Sequence, residues 1–169
     1  MSLQVFAYGS LIWHPGFPFR TVRKGWLPGW RRVLWQGSTD HRGCPGSPGR
    51  VVTLVPDQTA QCLGLLYTVE PGHESSTRSY LDVREQGGYL PRNAAVLPDN
   101  DQALFYVAEP NNPNFLGPSP LPQLVAQILA AHGPSGPNLE YVLKLHWALQ
   151  KHGIVDAHIS EIAAQLQAS

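Results

Sequence analysis

The chain has 169 residues, 43% hydrophobic and 14% charged, enough apolar side chain for a single core. Its 12 basic and 12 acidic residues cancel, so neither nucleic acid nor an anionic membrane is an expected partner. Two cysteines, Cys44 and Cys62, are too few for a disulfide framework and lack metal-ligand spacing.

Leu3 to Ala7 is an apolar run stopped by Tyr8-Gly9-Ser10, which predicts a core strand ending in a tight turn. The surrounding stretch, Val5 to Trp13, lacks a basic leader and a small-residue cleavage site, so it is not read as a signal peptide. No other stretch is long enough to span a bilayer, and a soluble, cytoplasmic protein is expected. Arg20, Arg23, Lys24, Arg31 and Arg32, interleaved with Trp26, Trp30 and Trp35, read as a solvated loop, then a strand over Arg31 to Gln36 with its aromatics facing the core. Arg50 to Val55 and Cys62 to Val69 flank the polar segment Pro56 to Gln61, the pattern of a hairpin with a longer loop.

From His73 to Glu85 the spacing predicts a helix, stopped by Gly87-Gly88. Tyr89 to Leu97 and Ala103 to Ala108 read as strands. Leu121, Leu124, Val125, Ile128 and Leu129 fall on one helical face, with His132-Gly133 as the end. Asn138 is the expected cap of a helix through Lys151, and a last short helix carries Ile159, Ile162, Ala163 and Leu166. Asn111 to Pro120 is a linker or a lid over a site. With no internal repeat and no boundary, residues 1–169 read as one α+β domain whose strand count allows a closed or nearly closed sheet. The oligomeric state is left open.

Several chemistries lack their pattern. The seven histidines include no two-histidine zinc helix motif, so no metal is expected. Ser10 lacks the flanking glycines of a nucleophile elbow, and Ser38, Asp40 and His41 are neighbours in sequence without being a triad. A phosphate loop is missing too. Three features remain. Tyr8-Gly9-Ser10-Leu11 places a small-residue turn at a strand end, where backbone N–H groups can receive a carboxylate. Residues 37–43 are dense in polar groups. Glu85 sits at a helix C-terminus, where the dipole disfavours the carboxylate and raises its pKa, a property useful to a general base.

At these residues the chain resembles the ChaC family of glutathione-specific γ-glutamylcyclotransferases. The likeness is carried by Val5-Phe6-Ala7-Tyr8-Gly9-Ser10-Leu11-Ile12-Trp13, by Trp35-Gln36-Gly37-Ser38-Thr39-Asp40-His41-Arg42-Gly43 and by Tyr80-Leu81-Asp82-Val83-Arg84-Glu85-Gln86-Gly87-Gly88-Tyr89. Asn112-Pro113, Leu116-Gly117-Pro118 and Gly133-Pro134-Ser135-Gly136, leading to Asn138, Glu140 and Tyr141, continue it in the same order. Val83 stands where an aromatic is common and Gln86 where a lysine is common. The resemblance implies a mixed, barrel-like β-sheet flanked by helices, and a cofactor-free reaction that converts glutathione to 5-oxoproline and cysteinylglycine. It assigns acid/base work to Glu85, and the glutamyl α-carboxylate and amine to Tyr8, Gly9, Ser10 and Leu11. Tyr141 hydrogen-bonds in the same pocket, and Arg42, after it Arg50, is the candidate to meet the glycyl carboxylate or to order the loop, with a structural salt bridge as the alternative for each. The alternatives are a cyclotransferase for other γ-glutamyl amino acids or amines, and a non-catalytic γ-glutamyl-binding module.

Overall fold

In the computed structural model, which describes residues 1–169, the elements in chain order are β1 (Gln4–Ala7), β2 (Phe19–Ser38), β3 (Gly49–Val69), α1 (Glu74–Arg84), β4 (Tyr89–Val96), β5 (Asp101–Ala108), α2 (Leu121–Ala130), β6 (His132–Gly133), β7 (Gly136–Pro137), α3 (Asn138–Lys151) and α4 (Ala157–Gln167). Five strands form one sheet in the order β2-β3-β1-β5-β4, and β6 pairs with β7 as a separate two-residue hairpin.

β1 lies in the middle of the sheet because Val5, Phe6 and Ala7 are all apolar, so it can be covered on both faces. It pairs antiparallel with β3, Val5 opposite Tyr67, and parallel with β5, Val5 opposite Leu104. The two outer strands then meet. Leu97 just beyond β4 donates its N–H to the Trp26 carbonyl (2.9 Å) and accepts the Trp26 N–H (3.2 Å), which closes the sheet into a barrel. The expected barrel-like α+β architecture is observed.

Two expectations change. Residues 19–30 are not a loop: they are the first half of β2, paired with β3 except at Arg20 and Gly29. Their charged side chains reported exposure on an outer strand, not absence of pairing. Trp26, Trp30 and Trp35 are only half-buried; Leu27, Val33 and Leu34 are the residues that enter the core. Nor is Pro56–Gln61 a hairpin loop. Gln61 pairs with Pro28 and Pro56 with Trp30, so four residues, 57–60, bulge out opposite Gly29 while β3 keeps its direction. Asp57 accepts the Thr59 N–H (3.0 Å) and hydroxyl (2.7 Å), a local turn folded inside the bulge.

The helices pack on the barrel through the predicted apolar faces: Leu124 and Ile128 of α2, Val142, Leu145 and Leu149 of α3, and Ile159, Ile162 and Leu166 of α4 are all buried. Each such side chain contributes about 1.5–3 kcal/mol relative to exposure. Asp156 caps α4 by accepting the Ile159 N–H (3.0 Å) and pairs with the buried Arg32 (2.7 Å), whose Nε also donates to the Tyr8 carbonyl (2.7 Å). Asn138, expected as a cap, is instead the first residue of α3, after Pro137. Its buried amide clasps β3, accepting from the Arg50 N–H and donating to the Arg50 carbonyl, each at 2.8 Å. No helix is long and apolar enough to cross a membrane.

Candidate active site

A cavity of about 580 Å³ opens at one end of the barrel, between the turn after β1, the loop after β2, the end of α1 and one face of α3. Tyr8, Gly9, Ser10, Leu11, Arg42, Glu85 and Tyr141, scattered over the sequence, all line it.

The chain leaves β1 into a single 3₁₀ turn, Ser10–Ile12. The Gly9, Ser10 and Leu11 N–H groups donate to nothing in the protein, as expected for the open end of a short helical turn. A cradle of unpaired N–H donors on a turn is of the kind that receives anions. Gly9 is required by close approach: a Cβ there would stand 2.9 Å from the Val52 side chain and 3.6 Å from the Tyr141 hydroxyl. That hydroxyl accepts the Val52 N–H (3.2 Å). The Tyr8 hydroxyl is turned into the barrel wall, donating to the Tyr106 carbonyl (2.5 Å).

Glu85 is the C-cap of α1, its N–H bonded to the Leu81 carbonyl (2.8 Å), and its side chain is only 18% exposed. Burial pushes its carboxyl above the ordinary glutamate value, and the Arg84 guanidinium, 3.8 Å away, pulls it back down. The upward push expected from the helix end thus has burial as its principal source. Burial also pushes up the Tyr8, Tyr89, Tyr106 and Tyr141 hydroxyls, keeping them protonated hydrogen-bonding groups.

The loop after Glu85 is held from below. The wholly buried Gln36 donates to the Gly87 carbonyl (3.1 Å) and to Asn112 Oδ1 (3.0 Å), and Asn112 Nδ2 donates back to Gln36 Oε1 (3.0 Å). Gly88, at φ +111°, lies so near this pair that a Cβ would stand 2.8 Å from Asn112 Oδ1. The segment 111–120, read as a linker or lid, is therefore partly a strut under the Glu85 loop.

At the far end, Arg42 donates to the Pro137 carbonyl (3.1 Å) and pairs with Glu140 (3.5 Å), which also binds Lys144 (2.5 Å). The Arg42 guanidinium lies 5.9 Å from the centre of the Tyr141 ring. Arg50 is not part of the cavity. It is buried, with its guanidinium committed to the carbonyls of Leu34 (3.0 Å) and Gly117 (2.7 Å) and to Gln127 Oε1 (2.7 Å), so it is a structural tie.

Sequence reasoning missed Arg84, Tyr89 and Lys144 as lining residues and Gln36 and Asn112 as supports. Arg84, Gln36 and Asn112 stand inside the matching motifs, which was the available signal. Lys144 had none.

The fold is that of the γ-glutamyl cyclotransferases: a solved structure titled as one superposes with a TM-score of 0.58 at 16% identity, over 97% of this chain and 88% of its own. Within that class the chain belongs to the ChaC-like protein family, whose model matches residues 3–169. It is 43% identical to the human glutathione-specific γ-glutamylcyclotransferase 1 over 95% of this chain and 77% of that protein. It is 41% identical to γ-glutamylcyclotransferase 2-3 of Arabidopsis thaliana, over 99% of this chain and 89% of that one. The crystal structure of a yeast γ-glutamyl cyclotransferase specific to glutathione superposes with a TM-score of 0.91 at 28% identity, over 99% of this chain and 97% of that one.

Proposed function

We propose that this protein is a glutathione-specific γ-glutamylcyclotransferase with Glu85 as its acid/base group. One observation carries the reading: Gly9, Ser10 and Leu11, whose N–H groups are unpaired, and Glu85, whose side chain is 18% exposed, line one cavity of about 580 Å³. The cradle takes the glutamyl α-carboxylate and places the neighbouring α-amine towards Glu85. Glu85 removes a proton from the ammonium, and the freed amine attacks the γ-carbonyl carbon of its own side chain. A carbon–nitrogen bond closes the five-membered 5-oxoproline ring, the bond to the cysteinyl nitrogen breaks, and the proton held by Glu85 passes to the departing cysteinylglycine amine. The ring nitrogen sheds its remaining extra proton to the regenerated Glu85 carboxylate, which returns it to the product amine or to solvent. A raised carboxyl suits both halves of that shuttle. The nucleophile is tethered to its electrophile, so the protein acts chiefly by holding a folded substrate; effective molarities for such geometries reach roughly 10⁵–10⁸ M.

Arg42, with Lys144 beside it, faces the glycyl carboxylate in this reading, and the chemistry asks for no cofactor. A cytoplasmic location is part of the same reading, supported by the two cysteines, both free thiols. The test is 5-oxoproline release from glutathione, γ-glutamyl-alanine and oxidised glutathione. Release from glutathione is expected. If only γ-glutamyl-alanine reacts, the glutathione assignment fails; if none reacts, the enzyme reading fails and the binding-module reading gains.

A further inference from the structure

We propose that Arg84 is a positioning residue that locks Glu85 in register with the Gly9–Leu11 cradle and sets the charge balance at its carboxyl. The inference rests on the reading of Glu85 as the acid/base group. α1 is thinly attached to the rest of the molecule: of eleven residues only Thr77 and Leu81 are buried, so apolar packing alone holds the helix loosely. Asp82 accepts the Tyr106 hydroxyl of β5 (2.6 Å), and Arg84 supplies the rest of the attachment, at the end that carries Glu85. Its Nη1 donates to the carbonyls of His14 (2.5 Å) and Pro15 (3.3 Å) and to the Tyr80 hydroxyl (2.8 Å), and its Nη2 donates to Ser10 Oγ (3.0 Å). The same guanidinium presents Nε to Glu85 Oε1 at 3.8 Å. One planar fork thus touches the cradle, the chain beyond it, the helix and the carboxylate. A lysine, with a single nitrogen, cannot reach all of them.

The ion pair acts on charge as well as on position. Glu85 sits among Tyr8 after β1, Tyr89 of β4, Tyr106 of β5 and Tyr141 of α3, with His14, Asp40, His41, Arg42 and Lys144 on the same cavity wall. The tyrosines are uncharged, so Arg84 is the cation in contact with the carboxylate and opposes the effect of burial. Without it, Glu85 holds its proton to higher pH.

Arg84→Met and Arg84→Lys separate these effects. In Arg84→Met, the Glu85 carboxyl, followed by carbon-detected nuclear magnetic resonance in the unliganded protein, should titrate higher by about half a unit or more. Its kcat on glutathione should fall at least about tenfold, with the acid limb displaced to higher pH. Arg84→Lys should keep the Glu85 titration near the wild-type position yet still lose kcat severalfold. A purely structural arginine would lower Tm in both variants without moving the titration. An unmoved Glu85 titration in Arg84→Met, or wild-type kcat in Arg84→Lys, overturns the proposal. If Arg84→Met does not fold, Arg84→Lys decides by the same kcat criterion. A wild-type protein that releases no 5-oxoproline overturns the functional reading instead, while the titration comparison still judges Arg84.

Discussion

Around Glu85 the backbone is held by uncharged hydrogen bonds as well as by Arg84: the partly buried reciprocal amides of Gln36 and Asn112, and the buried Val52 N–H on the Tyr141 hydroxyl. Around Arg42 the arrangement differs. Arg42 and Lys144 share Glu140, whose side chain is 42% exposed, and the Lys144 ammonium holds that carboxyl below its usual range. The first region fixes a geometry, and the second offers charge that can be redistributed when a ligand carboxylate arrives. Chemistry common to all γ-glutamyl substrates belongs at the first. Selectivity for the group bonded to the γ-glutamyl carbonyl belongs at the second.

Removing Glu85 is the severest way to test that division. Glu85→Gln should lower kcat by about a thousandfold or more and leave KM for glutathione within about twofold, read by 5-oxoproline release. The same variant should be more stable. A carboxyl whose folded-state pKa is raised costs stability once the pH exceeds its unfolded value, near 4.3, and the cost grows until the pH passes the folded value. Tm of Glu85→Gln should therefore exceed wild type by about 1–3 °C at pH 7 and match it at about pH 4. For turnover the sign is opposite: the base must be ionised, so kcat/KM should fall with acidification through a value above about 4.3, and a lower acid limb would rule out Glu85 as base.

Tyr141 comes next, since its hydroxyl holds the Val52 N–H and faces Gly9. Tyr141→Phe should cost roughly ten- to a hundredfold in kcat/KM. At the adjustable end, Arg42→Met should raise KM for glutathione about tenfold while kcat stays within about twofold. An equal loss in kcat would erase the distinction between the two regions. Lys144→Gln should be the mildest, about a twofold rise in KM, because its ammonium is half exposed.

Much of the fixed region was legible in the sequence. An apolar run halted at Tyr8-Gly9-Ser10 and a helix halted at Gly87-Gly88 are local signals, and the structure puts both where they were read. The long-range partners of those signals were not legible. Nothing near Gln36 announces that its amide meets Asn112, and Arg84 reads as one more charged residue on a helix until the chain folds His14 and Ser10 against it. The hairpin expected at Pro56–Gln61 failed for a related reason. Turn chemistry was present in Asp57 and Thr59, but it shapes a bulge inside a strand that Gly29 faces, and that partner lies across the sheet. Arg50 and Arg42 show the same limit, since one guanidinium is spent on carbonyls and the other lines a cavity.

The Gln36–Asn112 pair is neutral, and that has a consequence for how the protein meets its ionic surroundings. Counterions damp attraction between exposed charges beyond about 8 Å at physiological ionic strength, but they do little to a neutral amide pair. Adding an inert salt should therefore loosen the grip of Arg42 and Lys144 on a substrate carboxylate and leave the loop beneath Glu85 undisturbed. KM for glutathione should climb with salt while the maximal rate stays level.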